Sequence, residues 1–194
     1  GRAQFGVINA DKLLHIRQNG LKLIALMTPY QKSPLCLMSH KSKNFRNFND
    51  LKKAKAMSVS VTQPYYKVLV HKAPGLKKIT TLPYSPANFL ANEDYLIQGY
   101  LQSEPLFFAE KGVKTNVHLL ADLGFDPYTS ILVCHEDLLK KRKELVRKVV
   151  KASQEGWLLY KKDPKLANKE IIKRHQNIAP ILDESAKALD AFIT

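Results

Sequence analysis

Gln98-Gly99-Tyr100-Leu101-Gln102-Ser103-Glu104-Pro105, near the middle of the chain, is the stretch whose reading decides the fold. An apolar run ends in a glycine beside an aromatic, and a carboxylate follows with a proline directly after it. Proline in the first helical turn loses no hydrogen bond, so the spacing predicts a strand at 95–101 and a helix opening at Glu104. The helix dipole favours a carboxylate there, which gives Glu104 a capping role. Its side chain is expected to be free, so contact with a ligand at the mouth of the strand is the second role.

Outward from this stretch the chain alternates strand and helix. Downstream, Lys111-Gly112-Val113 leads into a predicted strand at 116–122, and another follows at 129–134. Upstream, strands are expected at 35–39, 57–61 and 77–82. Helices are expected at 64–72 and 85–92, each with proline at its start, and a helical turn at 49–53. At the N-terminal end, a strand at 3–8 is followed by a helix at 12–19 with Leu13, Leu14 and Ile16 inward and Gly20 as its stop. The apolar run 21–27 between Gly20 and Pro29 reads as a fully buried strand. Strand, helix and strand in so short a span predict a βαβ unit and a parallel sheet. From Glu136 onward the pattern is helical, with helices at 143–160, 164–175 and 181–194 and Trp157 on the buried stripe of the first.

The 194 residues are enough for one domain or two small lobes, and 45% apolar with 25% charged residues is ordinary for a soluble globule. The first residue is Gly rather than Met, and no signal peptide is visible, so an N-terminal segment is expected to lie outside this chain. Cys36 and Cys134 are too few for a disulfide framework and lack metal-ligand spacing; two buried thiols, or one bridge in an oxidising compartment, are the readings. The net charge of +14 gathers in two regions. Residues 41–78 hold ten Lys or Arg against Asp50 alone, and residues 138–174 hold thirteen against four acids. These bases surround helices with ordinary amphipathic spacing, so they read as solvated faces rather than a nucleic-acid module.

Phosphate loops, dinucleotide fingerprints, nucleophile elbows and zinc-ligand pairs are all missing from the sequence. The six histidines are scattered, and His135-Glu136 is explained by capping of the next helix. What recurs is a set of polar and aromatic residues at the ends of predicted strands, where open α/β sheets bind ligands. These candidates are Asn9, Gln31, Gln63, Tyr65, Tyr66, Tyr100, Glu104, Asp122 and Tyr128. Tyrosines offer faces for stacking, while the carboxylates accept hydrogen bonds.

The order Gly1-Arg2-Ala3-Gln4-Phe5-Gly6-Val7, Gln31-Lys32-Ser33-Pro34, Asp50-Leu51-Lys52, Gln98-Gly99-Tyr100 with Ser103-Glu104-Pro105, and Ala121-Asp122 with Pro127-Tyr128 resembles the periplasmic substrate-binding proteins of ABC importers. Within these it is most similar to the branch serving thiamine-pyrimidine precursors, sulfonates and nitrate. The resemblance covers essentially the whole chain and is most specific over 98–128. It implies an α/β, two-lobed periplasmic-binding-protein-like (type II) fold with a helical C-terminal block. Residues 1–38 and 119–194 would form lobe one and 39–118 lobe two, closing over a small molecule in the cleft between them.

The sequence departs from the family pattern in two places. Lys53 stands where a glycine usually follows Asp50-Leu51-Lys52, and the family's first strand, first helix and ligand-facing aromatic would precede Gly1. Lobe one is therefore expected to be incomplete, and pairing with a second copy is expected to cover its edge. The function implied is binding of a small polar or heteroaromatic solute, best a thiamine-precursor pyrimidine, in the periplasm, with an ABC permease of the inner membrane as partner. No catalytic residue, cofactor, metal or nucleic acid is expected. The alternatives are a pyrimidine-synthase-like enzyme of the same fold, whose cysteine-rich motif is missing here, and a basic nucleic-acid-binding module.

Overall fold

The computed structural model describes residues 3–193, so Gly1-Arg2 of the N-terminal motif and Thr194 at the end of the last expected helix lie outside the described residues. In chain order the first elements are β1 (Phe5–Ile8), α1 (Ala10–Gln18), β2 (Leu23–Met27), β3 (Leu35–His40), β4 (Ala56–Ser58), α2 (Pro64–Lys72), β5 (Thr80–Leu82) and α3 (Pro86–Ala91). They are followed by β6 (Tyr95–Tyr100), α4 (Glu104–Glu110), β7 (Thr115–Leu119), β8 (Ile131–His135), α5 (Glu136–Lys141), α6 (Lys143–Lys162), α7 (Lys165–Arg174) and α8 (Leu182–Asp190). The chain divides into two compact units. One comprises Gly1–Ser33, Pro127–Gln176 and Leu189–Thr194; the other comprises Pro34–Asp126 and Asn177–Ala188.

The first unit holds a three-stranded sheet in the order β1-β8-β2. β8 runs antiparallel to both neighbours, pairing Phe5 with Cys134 on one side and Leu23 with His135 on the other. β1 and β2 therefore run the same way, but they are not hydrogen-bonded to each other. The parallel sheet expected from the local βαβ pattern is corrected to an antiparallel one, because a strand more than a hundred residues downstream takes the middle place. The run expected to be fully buried is only half-buried, and Leu21 is exposed. α1 seats Leu13 against Ile131 and Val133, with Ile8 and Leu23 alongside. Gly20 takes a positive φ of 90° as the stop of this helix, a conformation that costs glycine nothing.

The second unit is built on a mixed five-stranded sheet in the order β5-β4-β6-β3-β7. β4 is parallel to both β5 and β6, while β3 is antiparallel to both β6 and β7. Alternation along β3 and β6 sends side chains to two faces. Leu35, Leu37 and Leu96 join a core with Leu51, Met57, Leu69 and Leu76. Cys36, Met38, Tyr95 and Ile97 join another with Phe89 and Phe108. Both faces are covered, which explains why β3 reads as a continuous apolar run instead of an alternating one. Each fully buried leucine here contributes about 1.5–3 kcal/mol relative to exposure. β3 belongs to this sheet through its pairing with β6 and β7, so the units divide at Ser33/Pro34 and Asp126/Pro127.

Candidate functional site

Because β5, β4 and β6 are parallel and in register, Leu82, Ser58 and Ile97 stand side by side, and the chain leaves all three strands along one edge of the second unit. The segments beyond, with Gln98 on β6, enclose a cavity of about 540 Å³. It is lined by apolar atoms of Val59, Val61, Leu82 and Pro83, and by the polar groups of Ser60, Thr62, Thr81, Tyr84 and Gln98. This volume lies within the usual range for small-molecule sites.

Three sets of hydrogen bonds hold the walls of this cavity. The Ser58 hydroxyl donates to the Pro83 carbonyl at 2.8 Å and accepts from the Ser85 N–H at 3.2 Å, tying the end of β5 to β4. Ser85 in turn caps α3, its Oγ accepting from the Asn88 N–H, as its Ser-Pro start predicts. Tyr65, on the first turn of α2, accepts from the Ser60 N–H at 2.7 Å and donates to Gln98 Oε1. That contact occupies the amide oxygen of Gln98 and leaves its NH2 group to donate elsewhere. Burial is the main reason the Tyr65 hydroxyl is pushed up to about 12, so it stays a donor at physiological pH.

Glu104 closes the adjacent wall. Ser103 is the N-cap of α4 without a side-chain bond, and Glu104 is its first helical residue. The sequence predicts a free carboxylate here, and the structure corrects this, since both oxygens are engaged. Oε2 accepts from the Tyr100 N–H at 2.7 Å, and Oε1 accepts from the Tyr84 hydroxyl at 3.2 Å. Gly99 is what permits this approach: a Cβ there would stand 2.8 Å from Glu104 Cδ and 2.6 Å from Met38 Cε. Partial burial, then the Glu104 charge, raises Tyr84 well above the usual tyrosine range. The same two causes push up the Cys36 thiol, which lies fully buried and donates to the Gly99 carbonyl. Tyr84 also lines a second cavity of about 490 Å³ with Glu104 and Phe107, so one tyrosine borders both spaces.

The structure sorts the nine sequence candidates. In the second unit, Tyr65, Tyr100 and Glu104 gather near the cavity wall, with Tyr66 half-buried against the same core. Tyr65 is 5% exposed, so its ring belongs to the core and not to a stacking surface. Gln63 is the exposed N-cap residue of α2, and Asp122 lies exposed in the helical turn Leu120–Leu123 after β7. In the first unit, Asn9 uses its side chain to accept from the Ser130 N–H at 3.3 Å. Gln31 is exposed and bonded through its backbone to Phe192, while Tyr128 is half-exposed with its carbonyl accepting from Ala10. None of the nine lines the cavity itself, to which Ser60, Thr62, Thr81, Tyr84 and Gln98 give the polar groups. Gln98 belongs to the stretch that decides the fold, but not to the nine candidates. Tyr84 carries the signal used elsewhere, an aromatic directly after a predicted strand, at an end to which the rule was not applied.

Two further expectations concern His135-Glu136 and the cysteines. His135 Nδ1 accepts from the Asp137 N–H at 3.2 Å, which caps α5, and Glu136 in its first turn pairs with Lys140 at 2.8 Å. Cys36 and Cys134 are both free and buried.

Residues 1–167 match the family described as NMT1/THI5 like. The riboflavin-binding protein RibY of Chloroflexus aurantiacus is 26% identical over a 162-residue alignment covering 78% of this chain and 45% of that protein. The chain thus spans less than half the length of that curated relative. The alkanesulfonate-binding protein SsuA from Xanthomonas axonopodis pv. citri, solved bound to MOPS, superposes with a TM-score of 0.70 at 14% identity, covering 97% of this chain and 67% of that one. The periplasmic aliphatic sulphonate binding protein SsuA from Escherichia coli gives 0.75 at 14% identity, covering 97% and 66%. These superpositions show that the fold is the α/β periplasmic-binding-protein fold.

Proposed function

The chain belongs to the NMT1/THI5 like family, and we propose that it is the solute-binding component of an ABC importer, taking an uncharged heteroaromatic ligand at the strand-end cavity of its second unit. The observation that carries this reading is the lining. The chain has 31 Lys and Arg, yet among the described residues that line the cavity none is charged. A sulfonate or nitrate would be left there without a cation, at the desolvation penalty of an unpaired charge. A planar ring with amino and carbonyl groups instead finds apolar walls, the Gln98 amide, the hydroxyls of Ser60, Thr62 and Thr81, and the Tyr84 ring.

A thiamine-precursor pyrimidine is the preferred ligand. Its ring nitrogens would accept from the Gln98 amide, and its ring would stack on Tyr84. Riboflavin is the second reading, supported by the name of the 26%-identical relative. On this reading the protein works outside the cytoplasmic membrane, delivers its ligand to an ABC permease, and binds without transforming what it holds.

Calorimetric titration of the 194-residue chain with an aminopyrimidine, riboflavin, an alkanesulfonate and nitrate tests the proposal. Saturable heat with a heterocycle and none with either anion is the expected result. Binding of an anion with no response to either heterocycle overturns the ligand class while leaving the family assignment standing.

A further inference from the structure

The helical hairpin of the first unit carries an apolar surface that the strand-end cavity does not use. α6 gives way to α7 at Asp163-Pro164, and three leucines around this turn stand out to solvent: Leu158 at 56%, Leu159 at 65% and Leu166 at 76% exposure. Leu158 and Leu159 lie near the end of α6 and Leu166 in the first turn of α7, so exposed apolar side chains flank the bend on both helices. The same hairpin carries a groove of about 380 Å³ lined by Trp157, Tyr160, Ala167, Ile171 and Leu189. Two of its polar side chains are already bonded within the protein. Ser153 Oγ donates to the Val149 carbonyl at 2.8 Å, and the Tyr160 hydroxyl donates to Asn168 Oδ1 at 3.1 Å. The groove therefore suits hydrocarbon better than a polar solute.

Charge decides which apolar partner fits. Between 156 and 169 stand Lys161, Lys162, Lys165 and Lys169 against one acid, Asp163. The nearest acids on either side are paired: Glu155 lies 3.8 Å from Lys151, and Glu170 lies 2.6 Å from Lys173. A second copy of the chain would bring the same positive field to the contact and be repelled. An anionic lipid surface supplies hydrocarbon and negative charge together, and lysine stems can lie along apolar surface with their ammonium groups at headgroup depth. None of the described helices is long and apolar enough to cross a membrane, so the contact is peripheral.

We propose that the α6–α7 turn binds the surface of an anionic phospholipid bilayer, with Leu158, Leu159 and Leu166 entering the interface and the flanking lysines meeting the headgroups. The test uses the whole chain with vesicles of phosphatidylcholine, alone or mixed with phosphatidylglycerol. Trp157 is the only tryptophan and lines the groove of this hairpin, so its emission reports on the hairpin. Co-flotation with the anionic vesicles, a blue shift of Trp157 on binding, and weakening by salt are expected. The triple variant Leu158→Ser, Leu159→Ser, Leu166→Ser should lower the partition coefficient about tenfold or more. Its thermal melt should match the parent because these side chains are exposed. The double variant Lys162→Glu, Lys165→Glu should lose the preference for anionic lipid. The proposal is overturned by absence of flotation, by equal binding of the leucine variant, or by a dimer in sedimentation equilibrium that the leucine variant abolishes.

Discussion

The backbone N–H of Tyr100 donates to Glu104 Oε2 at 2.7 Å, so the carboxylate that opens α4 also finishes the end of β6. One side chain thereby joins a strand terminus, a helix start and, through Tyr84, the loop after β5. Glu104→Ala should leave the Tyr100 N–H unmatched and destabilise the fold by about 1–2 kcal/mol, whereas Glu104→Gln, which keeps an acceptor, should cost less. Urea denaturation of the two variants measures the difference.

Gly99→Ala places a methyl group against both Met38 and the Glu104 carboxylate. We expect a loss of about 1–3 kcal/mol from overpacking. Combined with Glu104→Ala the losses should sum to less than the two alone, because one of the two clashes has been removed. A double-mutant cycle in urea reads this coupling.

Tyr65→Phe keeps the ring in the core and deletes the hydroxyl that links Ser60 to Gln98. The Ser60 N–H is left without its partner, so a cost of about 1–3 kcal/mol is expected. The cavity should also bind heterocycle more weakly, since the Gln98 amide loses its anchor. Denaturation and calorimetry on the same variant separate the two effects.

His118 is 8% exposed, its ring lies 5.5 Å from Phe48, and its Nε2 is buried without a partner. Burial lowers its folded pKa below the ordinary value of 6.5, an effect partly opposed by Asp50. The unfolded chain therefore binds this proton first. The stability contribution is complete above about pH 6.5 and falls away as pH drops through the folded value. His118→Phe should remove that slope from a plot of unfolding free energy against pH between about 4.5 and 7.5.

Both thiols should be silent towards an aromatic disulfide reagent in the folded protein. Cys36 and Cys134 are buried, and burial raises both above the usual thiol range. Two equivalents should react only after denaturant is added, which absorbance of the released thiolate follows directly.

The loops around the cavity are legible from residue type alone, but its lining is not. A strand end, a glycine and a proline mark the turn at Tyr100 and Glu104 whatever surrounds it, yet both stand behind the wall. Tyr65 is in one of these loops with its ring in the core, since sequence shows an aromatic near a strand end but not which way its ring faces. Asn9 likewise sits at a strand end, yet its amide oxygen serves Ser130, a partner 121 residues away. Tyr84 was passed over although its setting, directly after β5, is of the same kind.

The sequence by itself determined where elements start and stop and which loops carry polar groups. Those features depend on backbone sterics and caps within a few residues: Gly20 at a positive φ, Pro64 and Pro86 in first turns, Ser85 on the Asn88 N–H. Only the tertiary structure decided that β8 enters between β1 and β2, that β3 pairs with β6 and β7, and that Gly99 lets Glu104 reach back over β6. Strand pairing is made by backbone groups that every residue carries, so the choice of partner is left to burial summed over distant segments. That is why the pieces of this site could be read one loop at a time, while the cavity that gathers Ser60, Tyr84 and Gln98 came from the packing of the sheet.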